Sequence, residues 1–526
     1  MNLMNTKIVV LLLCLFNFGK HFSQNSNISN GNVFDGEPYI AINPANPKQM
    51  AVVWMGFVFN NGSGLTIRVK RSSDGGNTWS TPVNLPHMSA TYKSADPCLA
   101  FDNNGILNAT YIDYRESPDS GGVYYTRSSN GGASFSTPIK VIDAYADGNE
   151  KPIDRPWMSV DAGGNNIAVT SLPPSWVSAP NRPYLTVSNN GGSTWKPWRY
   201  IDTTNFLVGS AIAQPMPFPA ISGNTLHVMY PSYVISQNIL PQFILASSSN
   251  WGNTFNYKPI YAANTSAAQN DSAKSVYKLY TDPSNNNHLA LILNAGLGSS
   301  DLDIYFLETF NAGISWTAPL KLNDDLLNNG KMQDLTWAGF NAQGGFAAVW
   351  RDRRNAAGTG YARASEIYGT YRASATASFT PNFKISDTIV AYQNILSQNG
   401  NDFLCTHLIQ DTLHTVWGTT RDGSLDIWYS RNKAGTSSTH VQLISSENSQ
   451  MDIFPNPAKE NIVIKTSDKK QIQDVKLYDL SGKQVYSEKC EASEIRLNIS
   501  FLTPGVYQVI INLDGAARQM KLLKAD

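Results

Sequence analysis

The sequence predicts an all-β protein: a β-propeller of seven four-stranded blades followed by a small C-terminal β-sandwich. Six blades are the alternative if one unit is not a full sheet. Three observations carry this. An octapeptide of the form S-x-D-x-G-x-[ST]-[WF] recurs along the chain, its copies are spaced by 56, 60, 60 and 61 residues, and the pattern changes after Ser446. A fixed period of that size marks a repeat architecture. Four strands of about six residues with their turns fill it, and a ring of such units leaves only short, protected sheet edges.

The octapeptide is clearest at Ser72-Ser73-Asp74-Gly75-Gly76-Asn77-Thr78-Trp79. Its Asp/Asn position returns at Asn130, Asn190, Asn250 and Asn311, and its closing aromatic at Phe135, Trp195, Phe255 and Trp316. Two later units keep only its place, at Ser374 and Asn432. The Asp or Asn is expected to accept backbone N–H groups two residues on. The glycine supplies a positive φ, and the aromatic is expected to fold the hairpin onto its own sheet. The octapeptide is therefore a turn, and chemistry is to be sought elsewhere.

The units begin at Glu37-Pro38-Tyr39, Asp96-Pro97-Cys98, Asp154-Arg155-Pro156, near Pro217-Phe218, near Tyr277-Lys278, at Asp334-Leu335 and at Asp402-Phe403. Residues 447–526 read as a separate domain: Met451-Asp452-Ile453-Phe454-Pro455-Asn456-Pro457 opens it, and period-two strands with Ser-Gly and Pro-Gly turns follow. Residues 1–24 read as a secretory signal, with Lys7 before an apolar run from Ile8 to Phe18 and Ser23 near the cut. That run is too short to span a bilayer. No transmembrane segment is expected in the mature chain, which would comprise a propeller over residues 25–446 and the C-terminal domain.

The chain has 526 residues, 15% of them charged, with Lys+Arg equal to Asp+Glu at 40 each. That balance excludes a basic field for nucleic acid or for membranes. Beyond Cys14 in the leader, Cys98, Cys405 and Cys490 remain. An odd count argues against a disulfide framework, so buried free thiols are expected. Histidines are scattered, and His407 and His414 lie on neighbouring strands as packing residues. No metal and no cofactor is expected.

The octapeptide resembles the Asp box, or bacterial neuraminidase repeat, of sialidase-like β-propellers. The C-terminal segment resembles the sorting domain of the type IX secretion system of Bacteroidetes. These resemblances imply a propeller, handling by the type IX machinery, and a secreted or surface-attached protein with a glycan or polysaccharide as partner. An ordinary carbohydrate-binding sandwich is the alternative for the C-terminal segment.

Strand alternation places the starts of first strands and the loops between second and third strands on one face, with the octapeptides on the other. Loops on a rigid scaffold are the usual home of binding residues. Glu37, Asp96, Asp154, Arg155, Asp334 and Asp402 are expected at that mouth. Asp154, Asp96 and Glu37 are the candidate catalytic carboxyls, because glycosidases set two such groups across the scissile bond. Arg155, Arg115, Arg353 and Arg421 are candidate grips for an acidic sugar, and Tyr368 with Glu366 the candidate tyrosine–glutamate pair. The bland reading is that each acid caps a turn, and that Asp303, Glu366 and Asp426 pair with the arginine of their own loop. The Arg-Ile-Pro motif of sialidases is absent: its place reads Gly36-Glu37-Pro38. The expected function is glycan binding at the channel face, with hydrolysis there or a non-catalytic adhesin as the two forms it can take.

Overall fold

The computed structural model describes residues 25–31, 33–58, 64–116, 119–144, 153–172, 183–202, 217–234, 239–262, 277–296, 301–393, 401, 404–436, 451–466, 471–479, 483–513 and 516–525. The expected signal, residues 1–24, and Asp402 lie outside the described residues. The chain divides into two compact units, residues 1–440 and 441–526. All regular structure among the described residues is β, with no helix.

The first unit holds seven antiparallel four-stranded sheets among the described residues. Their first strands are Asp35–Ile42, Lys93–Phe101, Asp154–Val160, Phe218–Ser222, Tyr277–Thr281, Gln333–Phe340 and Cys405–Ile409. Each first strand packs against the next, and that of sheet seven packs on that of sheet one. The core runs through these contacts, with Ile40, Val52, Trp54, Leu291 and Val349 fully buried.

Six sheets are built from consecutive strands. Sheet seven takes its fourth strand from the other end of the chain: Ser26–Asn27 pairs with Trp428 and Tyr429. Asp426 holds this segment, accepting from Asn27 Nδ2 at 3.0 Å, Ser29 Oγ at 3.2 Å and Gly31 N at 2.8 Å. A strand of two residues has no readable period, so the sequence did not show it.

The octapeptide turns share one hydrogen-bond plan. Ser72 Oγ accepts from Gly76 N at 2.9 Å, and the same bond recurs at Gly132, Gly192, Gly252 and Gly313. Asp74 Oδ1 accepts from Asn77 N and Thr78 N, three and four residues on rather than two. The closing aromatics also differ from expectation: they pack on the preceding sheet as well as on their own turn. Trp79 of sheet one meets Tyr429 of sheet seven edge-on at 5.2 Å, and Trp195 of sheet three meets Tyr125 of sheet two at 5.0 Å. Arginines reinforce this. Arg127 Nη1 donates to Gly191 O at 2.6 Å, Arg199 Nη1 to Gly252 O at 2.6 Å, and Arg431 Nη1 to Gly75 O at 3.1 Å. The turn is thus a fastening between sheets.

The second unit is a sandwich of a three-stranded sheet (Met451–Phe454, Asn461–Thr466, Glu494–Asn498) and a four-stranded one (Gln484–Ala492, Ile472–Tyr478, Gly505–Leu513, Ala516–Lys524). Ile462, Ile464 and Leu497 from one face Val475, Leu477, Val509 and Ile511 from the other, as period-two alternation requires.

A β-carbon on Gly192, whose φ is 78°, would lie 2.3 Å from Tyr125 Cε1. Gly192→Ala is expected to lower unfolding stability by about 2 kcal/mol, through overpacking and an L-residue at positive φ. Urea denaturation measures this, and an unchanged midpoint would refute the fastening role of the turn.

Candidate functional site

Four first strands carry a bulge at the same place. Register shifts lie between Gly36 and Tyr39, Ala95 and Cys98, Asp154 and Trp157, and Asp334 and Trp337. Each bulge holds a non-glycine residue in the left-handed region: Glu37 (φ 54°), Asp96 (53°), Arg155 (49°) and Leu335 (49°). In three of them a proline follows, which a bulge admits because its missing N–H breaks no ladder bond. Such backbone is costly for L-residues and persists only where the surroundings over-determine it.

The bulges of sheets one to three bring Glu37, Asp96, Asp154 and Arg155 together. Glu37 and Asp96 are 2% and 8% exposed. Asp96 is in side-chain hydrogen-bond contact with both Glu37 and Asp154. Arg155 N donates to Asp96 Oδ2 at 3.2 Å, and Arg155 Nε lies 3.7 Å from Asp154 Oδ2. Burial and the neighbouring Glu37 push Asp96 up to about 8. Burial also pushes Asp154 up to about 7, against the pull of Arg155 and with the push of Asp96. The two carboxyls therefore hold protons into the neutral range, as like-charged groups in contact must.

Beneath this cluster each first strand places one side chain at the centre: Tyr39, Cys98, Trp157, Phe218, Lys278, Trp337 and Cys405. Tyr39 meets Trp337 at 5.2 Å, Trp157 meets Trp337 at 5.5 Å and Phe218 at 5.7 Å. Cys98 and Cys405 are buried free thiols and Cys490 is half-buried. Lys278 is fully buried, its Nζ 3.7 Å from the Trp337 ring centroid and 4.0 Å from that of Trp157. Desolvation pulls its amine well below the usual lysine range. Sequence reasoning missed Lys278. Its signal was a lysine where the other six units carry Tyr, Cys, Trp, Phe, Trp and Cys. On the octapeptide side lies a cavity of about 290 Å³, lined by Tyr39, Phe218, Trp337 and Cys405 and by the far halves of the first strands.

The other expected residues are placed differently. Asp334 reaches the mouth but is consumed there. Arg351 Nε donates to its Oδ1 at 2.7 Å and Arg353 Nη1 at 3.0 Å, and these arginines hold its carboxyl far below the usual range despite burial. Arg353, expected to grip substrate, is buried and also donates to the carbonyls of Tyr361 and Met332. It fixes a loop instead. Arg421, expected in the same role, donates to Asp387 at 2.7 Å and lies over Trp428. Tyr368 and Glu366 sit on the third strand of sheet six, two strands out from that of Asp334 and in a different sheet from the acid cluster, and share Asn355 Nδ2 as donor at 2.9 and 2.6 Å. Arg115 is next to last in the second strand of sheet two, Leu107–Glu116, and half-buried.

Among the described residues the third-strand acids take partners other than the expected arginines of their own loops. Asp303 accepts from Asn323, Glu366 from Asn355 with Lys384 nearby, and Asp426 from the N-terminal segment. His407 and His414 are cross-strand partners, as packing residues would be. Among the described residues no group of three or more potential ligands could hold a metal ion.

Residues 452–525 match the secretion system C-terminal sorting domain family. The protein is therefore secreted or carried at the outer-membrane surface. No helix among the described residues is long and apolar enough to cross a membrane. No curated protein matches the sequence. Among solved structures, the chain is similar to a protein of unknown function from Dyadobacter fermentans (13% identity, TM-score 0.40, covering 77% of this chain and 97% of that one). It is also similar to an α-L-arabinofuranosidase of Fusarium graminearum (11%, 0.44, 78% and 98%). A third is a sialidase from Streptococcus pneumoniae (10%, 0.39, 77% and 69%).

Two outcomes are expected. Asp334→Ala leaves two buried guanidinium groups without their carboxylate and costs about 3 kcal/mol, read by chemical denaturation. A loss under about 1 kcal/mol would mean that Tyr361 and the Met332 carbonyl suffice to hold the arginines without the carboxylate. For Asp96 and Asp154 the folded values lie above the unfolded one. Their contribution to stability is thus full below about pH 4 and lost as pH rises through 7 to 8. The double variant Asp96→Asn/Asp154→Asn should gain on the parent by at least about 1 kcal/mol between pH 5 and pH 8. Parallel stability curves for the two proteins would refute the shared-proton cluster.

Proposed function

We propose that the chain is an exported glycan-binding protein whose seven sheets are the blades of a closed propeller and whose octapeptide turns are Asp boxes. In this reading residues 1–24 are a removed signal, 25–446 the propeller and 447–526 a type IX sorting domain. The glycan site is the bulged mouth. One observation carries this: Glu37, Asp96, Asp154 and Arg155 converge there from three adjacent first strands, three of them on left-handed backbone. Partly protonated carboxyls both accept from and donate to sugar hydroxyls. The arginine suits an acidic sugar. Groups held on strands rather than loops are already ordered before the ligand arrives.

Binding is favoured over cleavage because Asp96 and Asp154 touch. An acid and its partner must stand roughly 5 to 9.5 Å apart to admit a glycosidic bond. A second reading, hydrolysis, is favoured by Asp154 itself. Its side chain is 28% exposed, and it keeps a proton near pH 7, the state of a general acid. Its partner would then be Glu37, which lies beyond Asp96 in the chain of contacts.

The mature chain is to be screened on a glycan array of neutral, uronic and sialylated polymers, with a reducing-sugar assay alongside. Retention of one class without sugar release is expected, weakened about tenfold by Asp154→Asn, the loss of one charge-assisted hydrogen bond. Sugar release abolished by the same substitution would establish the second reading. Retention of no glycan class would refute both.

A further inference from the structure

We propose that Lys278 is a covalent capture site for small aldehydes that enter through the central cavity. Lys278 is fully buried, and its Nζ has no hydrogen-bond partner among the described residues. It faces the rings of Trp337, Trp157 and Phe218 at 3.7, 4.0 and 4.9 Å from their centroids. The titratable and charged groups nearest it are the thiols of Cys405 and Cys98 and the guanidinium of Arg155.

An ammonium in this place gives up its water and gains no oxygen acceptor. Ring faces repay only part of that loss. The neutral amine is therefore the form this surrounding favours, a direction that burial also gives its titration. A leucine or methionine would fill the same volume without that cost, so packing does not explain the residue. A desolvated neutral amine is the state in which lysine attacks carbonyl carbon. An exposed lysine is almost wholly protonated at pH 7.

The cage is also a cavity wall. Phe218 and Trp337, two of its three rings, line the cavity of about 290 Å³ together with Cys405. A molecule of a few heavy atoms in that cavity is one side-chain layer from Nζ. Besides its rings and aliphatic groups the lining offers Ser159, Thr281, Thr406 and His407, and among the described residues it carries no Arg or Lys to hold an anion, so it selects a small neutral compound.

The step balances without any further reagent. The amine lone pair forms the C–N bond, and the carbonyl π pair moves to oxygen. The two amine protons then leave with that oxygen as water, giving an imine.

The test uses the full chain with glycolaldehyde and sodium cyanoborohydride at pH 7, followed by peptide mass mapping. Cyanoborohydride delivers hydride to the imine carbon and leaves a hydroxyethyl group on the lysine. Lys278 is expected to be modified at least tenfold faster than Lys433 and Lys465, whose side chains are 70% and 56% exposed. That preference should shrink near pH 10, where exposed amines deprotonate. Modification of Lys433 and Lys465 with Lys278 untouched would overturn the proposal. So would modification of Lys278 no faster than that of Lys433 and Lys465. Both readings come from the unaltered protein, so no variant has to fold. In Lys278→Met the favoured adduct should be lost while modification of Lys433 and Lys465 is unchanged.

Discussion

The contact between each octapeptide turn and the third strand of the preceding sheet is the constraint on which the first unit depends. A four-stranded sheet has two faces to cover and an outer edge to close. The fourth strands here are often only two residues long, as at Val83–Asn84 and Leu320–Lys321, so ladder bonds alone hold little. The turn adds three kinds of contact at one point: a glycine too close to its neighbour for a side chain, an aromatic edge against a tyrosine face, and a guanidinium on a glycine carbonyl. The turn geometry that frees those glycine carbonyls is set by one hydroxyl and one amide or carboxylate. The short polar residues thus serve the packing of the large ones.

The same economy appears at the first-strand bulges. Shifting the register by one residue sends the residue before the proline up towards the mouth and the residue after it down into the centre. One backbone irregularity therefore makes two layers, an acidic one and an aromatic one, only two residues apart in sequence. The layers influence each other. Arg155, above, lies in the field that disfavours a charge on Lys278, below. Placing ionisable groups on strained strands rather than on loops keeps their spacing fixed, and the protonation of Asp96 and Asp154 follows from their burial first and from that fixed spacing second.

Much of this was legible in the sequence because it is local or periodic. The octapeptide located the units, the alternation after Met451 located the sandwich, and acids beside prolines at the starts of first strands marked Glu37, Asp96 and Asp154. The partners of Arg353 and Arg421 were not legible. A guanidinium spans several residues, and which acid it meets depends on how separate loops fold over each other, so Asp334 and Asp387 win over the nearer-seeming Glu366 and Asp426. The direction of the closing aromatics was misread because a hairpin motif says nothing about the adjacent sheet. Lys278 was hidden for a different reason: a single lysine in an apolar strand looks like a solvent-facing residue until the strand is known to be innermost.

The strand at Ser26–Asn27 has a consequence in time. Asn25 and Asp387 are bonded across 362 residues of chain, and Asp35 N reaches Leu425 O at 2.8 Å. Contacts of such sequence separation form late, because the intervening loop must be closed before any pairing rewards it. Sheet seven therefore waits as a three-stranded edge while the six sheets between its parts assemble. The segment at Ser26–Asn27 is made before the six sheets it must wait for, and until it docks the hydrogen-bonding edge of Asp426–Lys433 stays open to whatever strand is nearest.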